Sequence, residues 1–262
     1  MPFAKLKETT TYYEVIGQGQ PVVLINGLKA DHINWALIVN ELMSDYQLIL
    51  LDNRGTGQTL YDENTSFSVE EMAKDIHNLL DYLKINSAYI VGHSLGGAIA
   101  QSFAYQFPEK VKKLFLFNTF EHFNDFSKNL FHETLKLHEQ NARPGEIINQ
   151  FLPFAFPKDY LTKKFVDLVI TTSNEYPYAQ SMIGYKHQYQ VLTKFNSTNW
   201  SNKIKVPTIV VGSLQDQICP YEESVSLAKK IPDCILMTLT GGHASNVEEP
   251  KLFASIIKNY TI

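Results

Sequence analysis

A chain of 262 residues, of which 44% are hydrophobic and 19% charged, has enough apolar material for one large folded domain. This composition excludes an intrinsically disordered protein. The formal net charge of −4 provides no field that would attract nucleic acid or an anionic membrane, so we expect a small-molecule substrate. The longest apolar runs, such as residues 21–25, are far too short to span a membrane.

Cysteine content and the N-terminus bear on the cellular compartment. Cys219 and Cys234 are too few for a disulfide framework and fit a reducing compartment, although the sequence neither requires nor excludes a bridge between them. The first residues lack the apolar stretch of a signal peptide. We therefore expect a cytoplasmic protein, and nothing in the sequence indicates its oligomeric state.

Strand-like and helix-like segments alternate along the first half of the chain, which is typical of a mostly parallel sheet flanked by helices. The clearest helix start is Ser68 followed by Glu71, a capping box ahead of an apolar helical face. Strands are predicted at residues 4–8, 12–16, 21–25, 47–51, 88–91 and 113–117, and helices at 34–44, after Ser68 and at 98–105.

The alternation stops between residues 121 and 200, where the segments are helical in character and interrupted by prolines. It resumes with a strand at 207–212, a helix at 221–230, a strand at 235–239 and a last helix at 250–259. The sequence therefore predicts an α/β core formed by residues 1–120 and 201–262, with a helical cap inserted at 121–200.

Gly92, His93, Ser94, Leu95 and Gly96 match the G-x-S-x-G pattern of a nucleophile elbow, a strained turn between a strand and a helix. The two glycines remove side chains that would collide across the turn. The backbone N–H of Leu95, at the start of the helix, can bind a developing oxyanion. Because a buried strand precedes the pattern and a helix follows it, we predict that Ser94 is a nucleophile.

A serine hydroxyl needs a base to take its proton. His243 follows the last predicted strand and lies on a loop at the carboxyl edge of the sheet, so we predict it as that base. His93 adjoins Ser94, but neighbouring side chains at an elbow point apart, and we expect it to pack or to hydrogen-bond locally. The other histidines are explained by packing or by solvated positions on helices, and no catalytic role is predicted for them.

The base in turn needs an acceptor that fixes its tautomer and orientation. Asp216 follows the strand at 207–212 and falls on the same edge of the sheet, so we predict it as the acid. The rival position, after the strand that follows the elbow, carries Asn118 and Thr119 and offers no carboxylate.

With these three positions, the chain resembles the α/β-hydrolase superfamily over essentially its whole length, including the order Ser, Asp, His. Residues 25–28 are similar to the family's His-Gly-hydrophobic oxyanion loop, which implies that the Leu28 N–H is a second oxyanion donor beside Leu95. Asn26 stands where the family usually has histidine, which affects the side-chain hydrogen bonds of the loop but not its backbone role.

Residues 52–57 resemble the family's D-x-R-G-x-G loop, and we expect Asp52 and Arg54 to pair there and hold turns. Serine at the elbow argues against epoxide hydrolases and haloalkane dehalogenases, which carry aspartate. Nothing in the sequence indicates a metal site, a phosphate-binding loop or a dinucleotide fingerprint, so no metal or cofactor is predicted.

The predicted cap is rich in aromatic residues and contains a single arginine, Arg143, which favours a small, largely apolar substrate. The overall pattern resembles small esterases and enol-lactone hydrolases. This implies cleavage of an ester, thioester or lactone through an acyl-enzyme on Ser94. Two alternatives stay open: a cofactor-independent perhydrolase with the same triad, and a non-enzymatic ligand receptor on the same fold.

Overall fold

The computed structural model describes residues 2–261, which form an eight-stranded sheet flanked by helices. Its strands are β1 (Phe3–Lys5), β2 (Thr10–Ile16), β3 (Gln20–Ile25), β4 (Tyr46–Leu51), β5 (Ala88–His93), β6 (Val111–Phe117), β7 (Thr208–Ser213) and β8 (Cys234–Leu239). They lie in the order β1-β2-β4-β3-β5-β6-β7-β8. The β1–β2 and β2–β4 pairs are antiparallel and all other neighbouring pairs are parallel, so the prediction of a mostly parallel sheet is confirmed.

The α-helices connect these strands and cover the sheet. They are α1 (Ala36–Leu42), α2 (Val69–Tyr82), α3 (Leu95–Gln106), α4 (Asp125–Glu139), α5 (Pro144–Ala155), α6 (Lys163–Glu175), α7 (Met182–Lys194), α8 (Tyr221–Lys230), α9 (Ser245–Glu248) and α10 (Pro250–Asn259). In the part of the chain that the structure describes, no helix combines the length and apolar character that a transmembrane span requires.

Helices cover both faces of the sheet, and successive side chains of a strand point to opposite faces. In β3, Val22 and Leu24 pack with α1 and α10, whereas Val23 and Ile25 pack with α2 and α3. Each buried aliphatic side chain contributes roughly 1.5–3 kcal/mol, so the continuous apolar run of this strand anchors two layers of helices at once. Its carboxyl end is thereby fixed beside the elbow.

Capping side chains determine where several helices begin. The capping box that begins α2 forms as predicted, with Ser68 N–H donating to Glu71 Oε2 (2.7 Å) and Glu71 N–H donating to Ser68 Oγ (3.3 Å). The helix predicted at 34–44 is divided: Asp31 caps a 3₁₀ turn, His32–Trp35, and α1 follows it. This turn directly continues the loop after β3, because Asp31 lies only three residues after Leu28.

Helices α4 to α7, called here the inserted helices, occupy the chain between β6 and β7. An antiparallel bridge between His122 and Asn196 joins the two ends of this segment, and Ser197 N–H donates to Glu121 O (2.8 Å). The insertion therefore leaves and re-enters the core at one point, immediately beyond the carboxyl end of β6.

Candidate active site

Ser94 sits between β5 and α3 with φ 56° and ψ −122°, a backbone conformation that is strained for any residue with a side chain. Such strain costs of order 1–3 kcal/mol and persists only where neighbouring contacts enforce it. Here Ser94 N–H donates to Phe117 O (3.0 Å), and Thr119 Oγ1 donates to Ser94 O (2.8 Å). The end of β6 thus holds the elbow in place.

The glycines of the elbow are required by backbone contacts. A Cβ on Gly92 would lie 2.3 Å from the Gly96 carbonyl oxygen, and one on Gly96 would lie 2.1 Å from the Ile25 carbonyl oxygen. Real Cβ atoms do not approach backbone that closely. Because these two positions have no side chain, the start of α3 packs directly against β5 and against the carboxyl end of β3.

The loop after β3 touches the nucleophile. A Cβ on Gly27 would lie 3.0 Å from Ser94 Cβ and 3.5 Å from Ser94 Oγ, so the Gly27–Leu28 peptide borders the hydroxyl. Between residues 2 and 261, neither the Leu28 nor the Leu95 N–H has a protein acceptor. Two free donors beside one serine hydroxyl are the arrangement that an oxyanion hole requires.

Asn26 supplies the side-chain bonds of this loop. Its Nδ2 donates to Asp31 O (2.7 Å), and its Oδ1 accepts from Asn34 Nδ2 (3.0 Å). Asn53 Nδ2 donates to the Asn26 carbonyl (3.0 Å). The buried amide therefore fixes the loop by internal hydrogen bonds.

Asp216 is buried just beyond β7, and its carboxylate receives four donors. Oδ2 accepts from His243 Nδ1 (2.8 Å) and Asn118 Nδ2 (2.9 Å), and Oδ1 accepts from the N–H groups of Ile218 (2.9 Å) and Cys219 (2.8 Å). Both oxygens are thus saturated, and the side chain has one orientation available to it.

His243 lies on the loop between β8 and α9, and its Nδ1 is committed to Asp216. Glu248 Oε2 accepts from Gly242 N–H (2.9 Å), and Ala244 N–H donates to Ala155 O (3.1 Å), which fix the loop on both sides of the ring. The structure contains no hydrogen bond between Ser94 and His243 among its described residues. Such bonds are often long without substrate and tighten when substrate binds.

His93 contacts the loop that carries His243, a contact that the sequence analysis did not predict. Its ring packs edge-on against Trp35, and its Nε2 donates to the His243 carbonyl (2.7 Å), a partner 150 residues away and not a local one. Burial, and then the nearby His243 ring, lower the pKa of His93 to about 3, so the ring is neutral and its Nε2 carries the proton. No local sequence pattern indicates this contact, because only the fold brings residues 93 and 243 together.

Asn118, the residue that replaces a carboxylate at the rival acid position, also supports the site. With φ 48° it projects Nδ2 toward Asp216 and Ser213 Oγ (2.8 Å), while its Oδ1 accepts from Ser245 Oγ (2.7 Å). It therefore links the ends of β6 and β7 and the start of α9 through one amide.

The expected pairing of Asp52 with Arg54 is wrong. Asp52 accepts from His32 Nδ1 (2.8 Å) and Gln58 N–H (2.8 Å), whereas Arg54 pairs with Asp75 of α2, with two contacts of 2.6 Å. Each side chain therefore has its own set of partners. Neither lies at the nucleophile.

Within residues 2–261, two clusters contain residue types that ligate metals: Asp216 with Cys219 and His243, and Asp31 with His32 and Asp52. In the first, all the carboxylate acceptors are taken by protein donors. Cys219 and Cys234 are free thiols, and burial raises the pKa of the Cys219 thiol well above its usual value. Thiolate ligation is therefore disfavoured there.

Two cavities adjoin at the carboxyl edge of the sheet. The inner one, of about 140 Å³, contains Ser94 and His243, and the outer one, of about 440 Å³, opens beside it. Of the many aromatic residues between 121 and 200, only Phe131 of α4 and Phe151 of α5 line the inner cavity, and only Tyr176 and Tyr178, from the loop between α6 and α7, line the outer one. The cavities share a wall formed by Leu28, Lys29, Ala30, Asn34 and Ile148.

Polar contacts hold the insertion against the loops that follow β3 and β4. Tyr176 OH donates to Asp31 Oδ2 (2.5 Å), and Gln188 donates through Nε2 to Arg54 O (3.0 Å) while its Oε1 accepts from Lys29 N–H (3.4 Å). Gln180 Nε2 donates to Gly55 O (2.8 Å). The insertion that covers the cavities is thus hydrogen-bonded to the core loops on their opposite side.

A family model described as the alpha/beta hydrolase fold matches residues 20–250. The chain therefore belongs to the α/β-hydrolase fold family, and is a hydrolase. Among its curated relatives is the "Putative carbamate hydrolase RutD" of Azorhizobium caulinodans, 26% identical over 99% of this chain and 98% of the relative. The RutD of Rhizobium rhizogenes is 28% identical over 92% and 94%.

Solved structures share the fold. The enol-lactonase of Burkholderia xenovorans superposes with a TM-score of 0.89 at 22% identity, over 98% of both chains. An esterase from Exiguobacterium antarcticum superposes with a TM-score of 0.86 at 24% identity, again over 98% of both chains. The predicted α/β-hydrolase fold is confirmed.

Proposed function

We propose that this protein is a serine hydrolase that cleaves a carboxylic ester, thioester or lactone through an acyl-enzyme on Ser94. One observation carries the proposal. The wall of one cavity contains a strained serine, the Leu28 N–H and a histidine whose far nitrogen is bound to a saturated carboxylate, and the Leu95 N–H directly follows the serine; within residues 2–261 neither N–H has an acceptor. Acyl transfer needs each of these parts, and a simple binding site needs none of them together.

In the proposed mechanism, Ser94 Oγ attacks the substrate carbonyl carbon while His243 Nε2 takes its proton. The N–H groups of Leu28 and Leu95 stabilise the oxyanion, and Asp216 stabilises the imidazolium. His243 then protonates the leaving oxygen or sulfur, which departs. Water, activated by the same histidine, hydrolyses the acyl-enzyme and restores Ser94.

The cavity supports a small acyl group with an apolar body. Its inner part is bounded by Phe131, Phe151 and Ile218 around the serine. We propose that the inserted helices act as a cap, because Phe131, Ile148 and Phe151 line this space and Gln188 of α7 contacts the loop after β3. Water is thereby excluded from the reacting carbonyl except as the second nucleophile.

A carbamate is a second candidate for the scissile group. The RutD relatives, similar over nearly the whole chain, are named as carbamate hydrolases. The same groups suffice for a carbamate carbonyl, because attack at carbon and departure of the leaving group need the same base and oxyanion donors.

Turnover of 4-nitrophenyl acetate by the wild-type protein and by Ser94→Ala tests the proposal. We expect a burst of 4-nitrophenol stoichiometric with the wild-type protein, followed by slower turnover, because acylation by this activated ester should be faster than deacylation. Ser94→Ala should show neither phase. Equal rates for the two proteins would contradict the proposal, and a matched aryl carbamate measured alongside would rank the two scissile groups.

A further inference from the structure

Lys29 borders both cavities and directly follows Leu28, the proposed oxyanion donor. Its φ is +72°, a left-handed conformation that few residues with a side chain adopt, and its N–H donates to Gln188 Oε1 (3.4 Å). The hydrogen bond to Gln188 of α7 therefore fixes the backbone of Lys29. The Lys29 side chain leaves this backbone from a fixed position in the cavity wall. Backbone outliers of this kind concentrate at ligand sites.

The Lys29 ammonium has no anionic partner. Within residues 2–261, no carboxylate lies within 4.0 Å of it and its Nζ makes no hydrogen bond. By contrast, the guanidinium of the buried Arg54 is neutralised by the Asp75 carboxylate at 2.6 Å. A cation that is partly removed from water and left unpaired is costly, and a bound anion would remove that cost.

The charged groups around Lys29 do not supply that anion. Asp31 lines the outer cavity, but its carboxylate accepts from Tyr176 OH (2.5 Å) and Ile33 N–H (3.1 Å) and forms no ion pair with Lys29. His138 of α4 is neutral, because burial and the Lys29 charge lower its pKa to about 4. Burial also lowers the pKa of Lys29 to about 8, so the ammonium form predominates at neutral pH.

We propose that Lys29 binds a carboxylate of the substrate, so that the natural substrate is a monoanionic ester, thioester or lactone with an otherwise apolar body. The inference rests on the proposed function, since it places this carboxylate at the cavity wall beyond the scissile carbonyl. One ammonium in a largely neutral lining balances one negative charge. A phosphate dianion would require further donors.

Two ester pairs, each comparing an anionic carboxylate with its uncharged methyl ester, test the proposal. Mono-4-nitrophenyl glutarate carries its carboxylate on the acyl side, 4-acetoxyphenylacetate carries it on the alcohol side, and each is compared with its own methyl ester. The measured quantity is the ratio of kcat/KM for the carboxylate to kcat/KM for the methyl ester, after subtraction of the uncatalysed rate.

At pH 7 we expect the wild-type ratio to exceed one for at least one pair, through a lower KM. Lys29→Met should reduce that ratio about ten- to hundredfold, the usual value of a hydrogen bond to a charged group, and Lys29→Arg should retain most of it. Lys186→Met, which removes an exposed lysine of α7, is the matched control and should leave the ratio unchanged. Melting temperatures show whether each variant is folded.

The ratio should also depend on pH. Because the ammonium is lost as pH rises through about 8, the wild-type ratio should fall above that pH, whereas the ratio of Lys29→Met should stay flat. Ratios that are equal in wild type and Lys29→Met would overturn the carboxylate site while leaving ester hydrolysis intact. Faster turnover of 4-acetoxyphenyl phosphate than of either carboxylate would overturn the choice of anion. Turnover that survives in Ser94→Ala would instead overturn the proposed function.

Discussion

At the scale of single residues, the saturation of Asp216 decides how the proposed triad responds to substitution. Four donors converge on its two oxygens, two on each. A carboxylate accepts from all four, whereas an amide carries an NH₂ group that must face two donors in either orientation. Asp216 is therefore much less replaceable than an acid with a single hydrogen bond to histidine.

Asp216→Asn should reduce kcat at least about a hundredfold, because the amide favours the wrong imidazole tautomer; the equivalent change in serine proteases costs about ten thousandfold. His243→Ala should lose a similar amount, and the double variant little more, since the two side chains act as one unit. Asp233→Asn, at an exposed aspartate before β8, is the control. Steady-state kinetics showing near-normal kcat in Asp216→Asn would place the acid elsewhere.

The residues of the proposed triad could be predicted because each follows a strand within a short, recognisable segment. Those that position them could not. His93, Asn118 and Lys29 act through partners at residues 243, 216 and 188, and such pairs become visible only when the strand order is known. Lys29 lies in the core and not in the inserted helices, so the low arginine content of the predicted cap gives no indication of it.

At the scale of elements, the close packing of β3, β5 and α3 separates two kinds of glycine. Gly96 is enclosed by backbone of the β3 end, whereas Gly27 faces the nucleophile side chain. A methyl group at the first position collides with immobile carbonyls. At the second, the neighbouring side chain or loop needs to move by only a few tenths of an ångström.

Gly27→Ala should therefore fold with a melting temperature close to wild type but lose about tenfold or more in kcat, because the Leu28 N–H is displaced from the oxyanion; complete loss of one such donor costs about 10²–10³. Gly96→Ala should instead lower the melting temperature markedly. Parallel thermal and kinetic measurements distinguish the two outcomes. A Gly27→Ala protein with unchanged kcat would argue against Leu28 as a donor.

Much of the element pattern could be predicted because strands buried on both faces read as continuous apolar runs and α2 carries a capping box. The start of α1 could not, since the 3₁₀ turn before it is determined by the Asp31 cap and by the bond from His32 to Asp52. The strand order β2-β4-β3-β5 likewise depends on long-range pairing that no local pattern specifies.

At the scale of the whole molecule, buried neutral histidines couple stability to pH. His93 keeps a pKa of about 3 when folded, mainly through burial, whereas an unfolded histidine titrates near 6.5. Between these values the unfolded chain binds more protons, so the free energy of unfolding falls as pH falls. The stability that His93 contributes is present above about pH 6.5 and is lost toward pH 3.

We predict a slope of up to about 1.4 kcal/mol per pH unit from this one group. His93→Gln, which keeps a donor but does not titrate, should lack it, so its unfolding free energy should depend less on pH between 6 and 4. Other groups, such as His138, are present in both proteins and cancel in the difference. Denaturant unfolding curves with the same pH dependence in both proteins would contradict the neutral His93.

The most direct test of the central proposal is the site at which the folded protein reacts with a fluorophosphonate probe. An activated serine beside an oxyanion hole attacks such electrophiles, and Ser94 combines the strained turn with the free N–H groups of Leu28 and Leu95. Peptide mass spectrometry should find one label per chain, on Ser94, and none in Ser94→Ala. Label on another residue, or no label on correctly folded protein, would contradict Ser94 as the nucleophile.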